Sequence, residues 1–127
     1  MYTGYFAKTK QYLKSGLVPV SIATINPKWW KRLSYSKLSP GKDILYKWKY
    51  GTFAENTAFF KRMFTQKVLN KLDAEEVVYE LEKLTRVKAN KIVLLCFEKP
   101  QDFYHRHLVA CWLEKMADIE IEEFQLS

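Results

Sequence analysis

"KIVLLCF", residues 91–97, decides the fold, because the run is continuously apolar after its lysine. A run of this length predicts a central strand covered on both faces. Strands buried in this way are typical of parallel sheets, whose faces are covered by helices. The stretch therefore predicts an α/β fold.

Periodicity and helix-capping signals place the other elements around this strand. Asp73 is predicted to cap a helix that carries Glu75 and Glu76 in its first turn, where the helix dipole favours negative charge. The order of elements indicates an open, mostly parallel sheet of about four strands flanked by helices, which is Rossmann-like. The other strands are predicted at 1–3, 17–23 and 119–126, and the helices at 6–14, from Thr52 or Thr57 to Leu72, at 74–84 and from Asp102 to Met116.

Three prolines predict local details. Pro19 has no N–H to donate, so the strand at 17–23 is expected either to begin there or to lie at a sheet edge. Pro27 is expected to open a helical turn through "PKWWKRL", residues 27–33. "SPG", residues 39–41, is expected to be a turn.

Length and composition favour one ordinary globular domain spanning residues 1–127. The chain is 48% apolar and 28% charged, which argues against disorder. It has no apolar run of about 18 residues and no signal-peptide core, so no membrane span or export is expected. Two cysteines in apolar contexts then favour reduced thiols and a cytoplasmic location. The oligomeric state is left open.

The net charge of +7 is unevenly distributed along the chain. Residues 1–65 contain twelve Lys or Arg and two Asp or Glu, whereas residues 66–127 contain nine and twelve. A positive face for phosphates, nucleic acid or another acidic partner is one interpretation. A solvated, lysine-rich surface is the other.

Polar side chains gather where the central strand is followed by a helix. Cys96 and Glu98 stand at the carboxyl end of the strand, where ligands bind in open parallel sheets. His105 can exchange protons near neutral pH, and Arg106 can hold a carboxylate or phosphate through two hydrogen bonds. These four residues are the candidate catalytic group.

Each of these residues also has a structural interpretation. Cys96 can be a small buried hydrophobe, and His105 can cap or pack the helix. Arg106 can form a salt bridge with Glu98 or Asp102. A zinc site would need these thiols and imidazoles together, and His105 and His107 point about 200° apart around a helix. We therefore expect no metal and no cofactor.

The same stretch, "VLLCFEKPQDFYHRHLVACWL", resembles the signature of the domain-of-unknown-function family 488. That signature is an apolar strand, then Cys-x-Glu-Lys, a short turn, Cys-His-Arg and an apolar helix. Tyr104 replaces the second cysteine, which weighs against a two-thiol role. "YTGYFAK", "VPVSIATINPKWW", "LSPGKDIL" and "LDAEEVVYELEKL" also resemble the family, so the resemblance covers nearly the whole chain. It implies a small α/β domain and brings no established reaction. The matching residues are Cys96, Glu98, Lys99, His105 and Arg106.

An aromatic and basic segment runs from residue 27 to residue 50. It interleaves six Trp and Tyr rings with seven cations, a mixture typical of nucleic-acid binding. About half of the rings are expected to belong to the core. Trp29 and Trp30 are adjacent, so they are not both expected to point inward, and an exposed one is expected to border the Cys96–Arg106 crevice. The candidate ligand-binding residues are Lys28, Trp29, Trp30, Lys37, Lys99 and Tyr104.

Three functional hypotheses follow from these features. The first is a protein that acts on nucleotides or nucleic acid, in which Arg106 and Lys28 hold phosphate, a tryptophan stacks on a base, and His105 and Glu98 transfer protons. The second is a binding module without catalysis that uses the same crevice. The third is a protein-interaction domain whose signature residues only fix the strand–helix joint.

Overall fold

A computed structural model describes residues 1–50, 57–97 and 105–125, and only the backbone at 45, 47–50 and 57. Its strands are β1 (Tyr2–Tyr5), β2 (Val18–Ser21), β3 (Leu33–Ser34), β4 (Ile92–Cys96) and β5 (Glu122–Glu123). Its helices are α1 (Thr9–Lys14), α2 (Gly41–Tyr50), α3 (Thr57–Lys67), α4 (Ala74–Thr85) and α5 (His105–Met116). The predicted helix start at residues 100–102 lies outside the described residues.

All five strands form one parallel sheet in the order β3-β2-β4-β1-β5. The α/β class and the parallel sheet predicted from residues 91–97 are therefore confirmed. β4 is the central strand, with Cys96 opposite Tyr5 of β1 and Leu95 opposite Ser21 of β2. The carboxyl ends of β1, β2 and β4 consequently meet at one edge of the sheet.

The two faces of β4 enter two separate apolar clusters. Ile92 and Leu94 pack in the larger cluster, which includes side chains of α3, α4 and α5. Val93 and Leu95 pack in the smaller one with Phe6 and Tyr12, on the side of α1. Burying such a side chain contributes roughly 1.5–3 kcal/mol, so this strand is a major source of stability.

The segment around residues 27–34 contains the turn predicted at Pro27 and then continues as a strand that was not predicted. The Trp30 N–H donates to the Pro27 carbonyl at 2.9 Å, which closes one turn. The chain then extends, and Leu33 pairs with Val20 to add β3. A strand of two residues is too short to show period-two alternation, so the sequence pattern did not indicate it.

In β2, Pro19 is the first residue whose backbone nitrogen points toward β3 and not toward β4. The Ile22 N–H donates to Leu95 on β4, and Ser21 accepts from Tyr35 on the β3 side, so residues of β2 face the two neighbours alternately. β3 begins only opposite Val20, which leaves no ladder bond for Pro19 to break. The proline therefore lies near the start of β2, where the strand is paired with β4 but not yet with β3. The start of the strand was expected there, whereas the alternative of a sheet edge is wrong, because β2 lies between β3 and β4.

The helix after residue 57 is shorter than predicted, and the next one begins as predicted. α3 ends at Lys67, and a 3₁₀ turn at Leu69–Lys71 follows in place of the expected helix to Leu72. The Asp73 carboxylate accepts from the backbone N–H groups of Glu75 and Glu76 at 3.0 and 3.2 Å, which confirms the N-cap of α4. Within the described ranges, no helix has the length and apolar content that crossing a membrane requires.

Candidate functional site

The end of β4 and the start of α5 bring Cys96 and Arg106 into contact. The Arg106 Nη1 group donates to the Cys96 sulfur at 3.1 Å, and both side chains are completely buried. β4 points Cys96 toward α5, because it shares the face of Ile92 and Leu94. The predicted meeting of strand end and helix start is therefore present for these two residues.

Glu123 of β5 completes the surroundings of Arg106. The guanidinium donates from Nε to Oε1 at 3.1 Å and from Nη2 to Oε2 at 3.3 Å, which is a bidentate ion pair. The Thr3 hydroxyl donates to the same Oε1 at 2.7 Å. We call Arg106, Cys96, Glu123 and Thr3 the Arg106 cluster. The partner that the structure describes is thus Glu123, where Glu98 or Asp102 had been expected; both of those lie outside the described residues.

Burial sets the protonation of the Arg106 cluster. It raises the pKa of the Cys96 thiol to about 11, although the nearby Arg106 charge lowers it. Burial also lowers the pKa of Arg106, but the contacts with Cys96 and Glu123 outweigh that effect and raise it overall. In this conformation the cluster therefore contains a neutral thiol and a paired arginine, and the thiol is closed to solvent.

His105 joins the start of α5 to the end of β2. Its Nε2 atom lies 2.7 Å from the Ile22 carbonyl oxygen, so Nε2 carries the hydrogen. The ring also meets Phe64 of α3 edge-on, with centroids 5.5 Å apart. Burial, and then the charge of Arg106, lowers the pKa of His105 to about 4. The imidazole is consequently neutral at pH 7.

An open groove lies at the same edge of the sheet, on the face of α1. Its volume is about 730 Å³. It is formed by residues that follow β1 and by the segment between β2 and β3. We call it the tryptophan groove, and its principal residues are Phe6, Lys10, Trp29, Trp30, Lys31 and Arg32.

The two tryptophans have different roles in this groove. Trp30 is buried, and its indole N–H donates to the Leu33 carbonyl at 3.2 Å. Trp29 is 57% exposed and meets the Trp30 ring edge-on at 6.0 Å. One ring is thus fixed in the core and the other is presented to solvent, as their adjacency predicted.

Polar bonds hold the loop that carries Trp29. The Ser21 hydroxyl, which is buried at the end of β2, bonds to the Asn26 side-chain oxygen. The Asn26 amide nitrogen in turn donates to the Ser34 hydroxyl of β3 at 3.1 Å. The loop is therefore attached to both strands between which it runs.

The groove and the Arg106 cluster lie on opposite faces of the sheet. Phe97 follows Cys96 but contacts Phe6, with centroids 4.9 Å apart, because successive strand residues alternate between faces. The expectation that an exposed tryptophan borders the Cys96–Arg106 crevice is corrected accordingly. The Phe6 ring connects Trp29 with Phe97 at the end of β4, whereas the Arg106 cluster lies on the other face of the sheet.

The two other predicted binding residues that the structure describes lie apart. Lys28 is exposed beside Trp29, whereas Lys37 forms an ion pair with Glu80 of α4 at 3.1 Å. Glu80 also accepts from the Tyr35 hydroxyl, so Lys37 belongs to a different surface. Glu98, Lys99 and Tyr104 lie outside the described residues. Among residues 1–50, 57–97 and 105–125, no three His, Cys, Asp or Glu side chains form a potential metal site.

Sequence reasoning did not single out several residues that the structure brings to these two places. Lys31 and Arg32 lie within the aromatic and basic segment, so their charge and position could have marked them as binding residues. Phe6 and Lys10 belong to a short polar helix with no functional signal. Glu123 lies in "IEIEEF", residues 119–124. The only indication of its role was that the alternation puts Glu123 on the same face of the strand as Ile119 and Ile121.

The comparisons with known proteins place the chain in a family. Residues 9–117 match the DUF488-N3a family model, which is described as the active DUF488-N3 subclade. No curated protein and no solved structure matches the chain. Because the family match spans most of the chain and includes the Cys96–Arg106 signature, the chain belongs to the DUF488-N3a subclade of the DUF488 family.

Proposed function

We propose that the protein binds a nucleotide or nucleic acid in the tryptophan groove. The observation that carries this proposal is the exposed Trp29 ring in an open groove that three cations, Lys10, Lys31 and Arg32, also line. Aromatic rings stack on bases, and Lys and Arg neutralise phosphates. The groove therefore offers an aromatic surface to the base of a nucleotide and positive charge to its phosphate.

The charge and the place of the groove support the same proposal. None of the described residues that line it is acidic, and residues 1–65 carry a formal charge of +10. Its walls follow β1 and β2, and ligands of open parallel sheets bind beyond such carboxyl ends. Phosphate binding there needs no rearrangement of the sheet.

Replacing Trp29 by alanine is expected to weaken the binding of single-stranded oligonucleotides. Stacking on one ring contributes ~1–3 kcal/mol, so the dissociation constant should rise about 5- to 150-fold. Fluorescence anisotropy with a labelled octathymidylate measures it. Tyr79→Ala is the matched control, because Tyr79 is an exposed ring on α4, away from the groove. Equal affinities of the Trp29 and Tyr79 variants for the oligonucleotide would contradict the proposal.

The same titration should depend steeply on salt. If all three cations neutralise phosphates of a single strand, the affinity should fall ~20-fold between 50 and 200 mM salt, from a slope of about −0.7 per phosphate. Arg32→Ala should reduce that slope, whereas Lys88→Ala should leave it unchanged, because Lys88 precedes β4 and the groove lies beyond the carboxyl ends of the strands. Binding that does not change with salt would exclude phosphate contacts.

Catalysis on the bound ligand is a second candidate function. It is favoured by the word "active" in the description of the matching family model. The candidate catalytic residues are Cys96, Glu98, His105 and Arg106. Cys96 ends β4, so a ligand extending past Phe97 would approach the carboxyl end of that strand, which Glu98 follows in the sequence. Of these, Glu98 is the residue to test, because Cys96, His105 and Arg106 are buried and their substitution would also perturb folding.

Glu98→Gln should abolish turnover and leave binding intact if Glu98 transfers a proton. General acid–base groups typically contribute ~10²- to 10⁴-fold in rate. Chromatography of nucleotides and oligonucleotides incubated with the wild type and the variant would measure it, alongside the dissociation constant and melting temperature. A wild type that binds these compounds and converts none of them is a binding module.

A further inference from the structure

We propose that the ligand of the tryptophan groove is a single strand of several nucleotides rather than one nucleotide, an inference that rests on the proposed function. It starts from two exposed aromatic rings, Trp29 and Phe97, which are 57% and 45% exposed. Both contact the buried ring of Phe6, edge-on, at 6.3 and 4.9 Å between centroids. The sheet edge therefore presents two aromatic surfaces supported by one buried ring.

The three rings come from three different strand ends. Phe6 follows β1, Trp29 follows β2, and Phe97 follows β4. Since β4 lies between β1 and β2 in the sheet, the exposed rings are spread along the edge and do not belong to one local hairpin. An elongated ligand can contact both rings by running along that edge.

Stacking a separate base on each of these rings requires at least two linked nucleotides. Given the two contacts with Phe6, at 6.3 and 4.9 Å, the exposed rings lie no more than about 11 Å apart, roughly three stacked nucleotide steps of ~3.4 Å. A mononucleotide that stacks on Trp29 would leave Phe97 in water. A strand of about four nucleotides reaches both rings.

The number of cations is compatible with this length. Lys10, Lys31 and Arg32 line one groove, and a tetranucleotide supplies a phosphate for each. A single nucleoside triphosphate would also supply three phosphates, but its one base would leave Phe97 without a stacking partner. Unpaired bases are required, because the faces of bases in a duplex are covered by their neighbours and cannot stack on protein rings. The ligand class is therefore single-stranded DNA or RNA.

A length series tests the inference. Thymidine monophosphate, di-, tetra- and octathymidylate are titrated against the full chain, with the uridylate series in parallel, and tryptophan fluorescence reports binding. We expect affinity to rise steeply from one to four nucleotides and little from four to eight, in at least one series. Phe97→Ala should weaken tetranucleotide binding about 5- to 150-fold and monophosphate binding less than about twofold.

The outcomes separate this inference from the proposed function. Equal affinity for the monophosphate and the tetramer, or equal weakening of both by Phe97→Ala, overturns the inference and leaves nucleotide binding standing. Absence of binding to every member of both series overturns the proposed function as well. Tyr79→Ala controls for loss of an exposed ring elsewhere, and the melting temperature of Phe97→Ala controls for folding.

Discussion

Replacing Glu123 by alanine is expected to lower the free energy of unfolding by about 3–5 kcal/mol, because it leaves a buried arginine without its counter-charge. Arg106 is completely buried and donates two hydrogen bonds to the Glu123 carboxylate. After the substitution, the acceptor that the structure describes for the guanidinium is the Cys96 sulfur, which is weak. Thr3 would lose its acceptor too.

The neighbouring glutamate supplies a matched control. Glu122 lies on the same two-residue strand, but it is exposed, so Glu122→Ala should change the stability by less than about 0.5 kcal/mol. Urea unfolding of both variants measures the difference. Equal stabilities of the two variants would show that the pair does not compensate the buried charge.

A double variant distinguishes loss of packing from loss of charge compensation. Arg106→Met with Glu123→Leu removes both charges and keeps apolar volume, and such replacements are often neutral or stabilising. The double variant should therefore be more stable than Glu123→Ala alone. If it is as unstable as the single variant, the cost comes from shape and not from the unpaired charge.

Local sequence signals predicted those parts of the fold that local interactions determine. The apolar run at 91–97 indicated a strand buried on both faces, and β4 has this arrangement. Asp73 followed by Glu75 and Glu76 indicated a helix start, because the capping bonds connect residues two and three apart. β3 was missed because its two residues are too few to show an alternating pattern.

The candidate site also combines contacts that the local sequence predicts with contacts that depend on how the strands pair. Cys96 and Arg106 were expected to meet, since a strand end and the next helix start are adjacent in any such fold. Glu123 was not expected as the ion partner, because its contact depends on which strand pairs with β1. Phe6 and Phe97 come together for the same reason, so the tryptophan groove could not be recognised from the segment at 27–50 alone.

His105 is expected to make the protein less stable as the pH falls below neutral. Burial holds its pKa at about 4 in the folded state, against the ordinary value of 6.5. Between pH 6.5 and pH 4 the unfolded chain therefore binds a proton that the folded chain does not, and stability declines as pH decreases through this window. The contribution is fully present above pH 6.5 and amounts to about 3 kcal/mol.

His105→Gln isolates this effect, because glutamine can donate to the Ile22 carbonyl and does not titrate. Carboxylates contribute equally to the pH profiles of both proteins, so the difference between the profiles reports His105. From pH 7.5 to pH 4.5, urea unfolding of the wild type should lose about 2–3 kcal/mol more than the variant. Parallel profiles would mean that the imidazole is protonated as easily in the fold as in water, which its burial opposes. A confirmed difference would also bear on catalysis, because an imidazole with a pKa of about 4 is neutral near pH 7 and has no imidazolium proton to donate there.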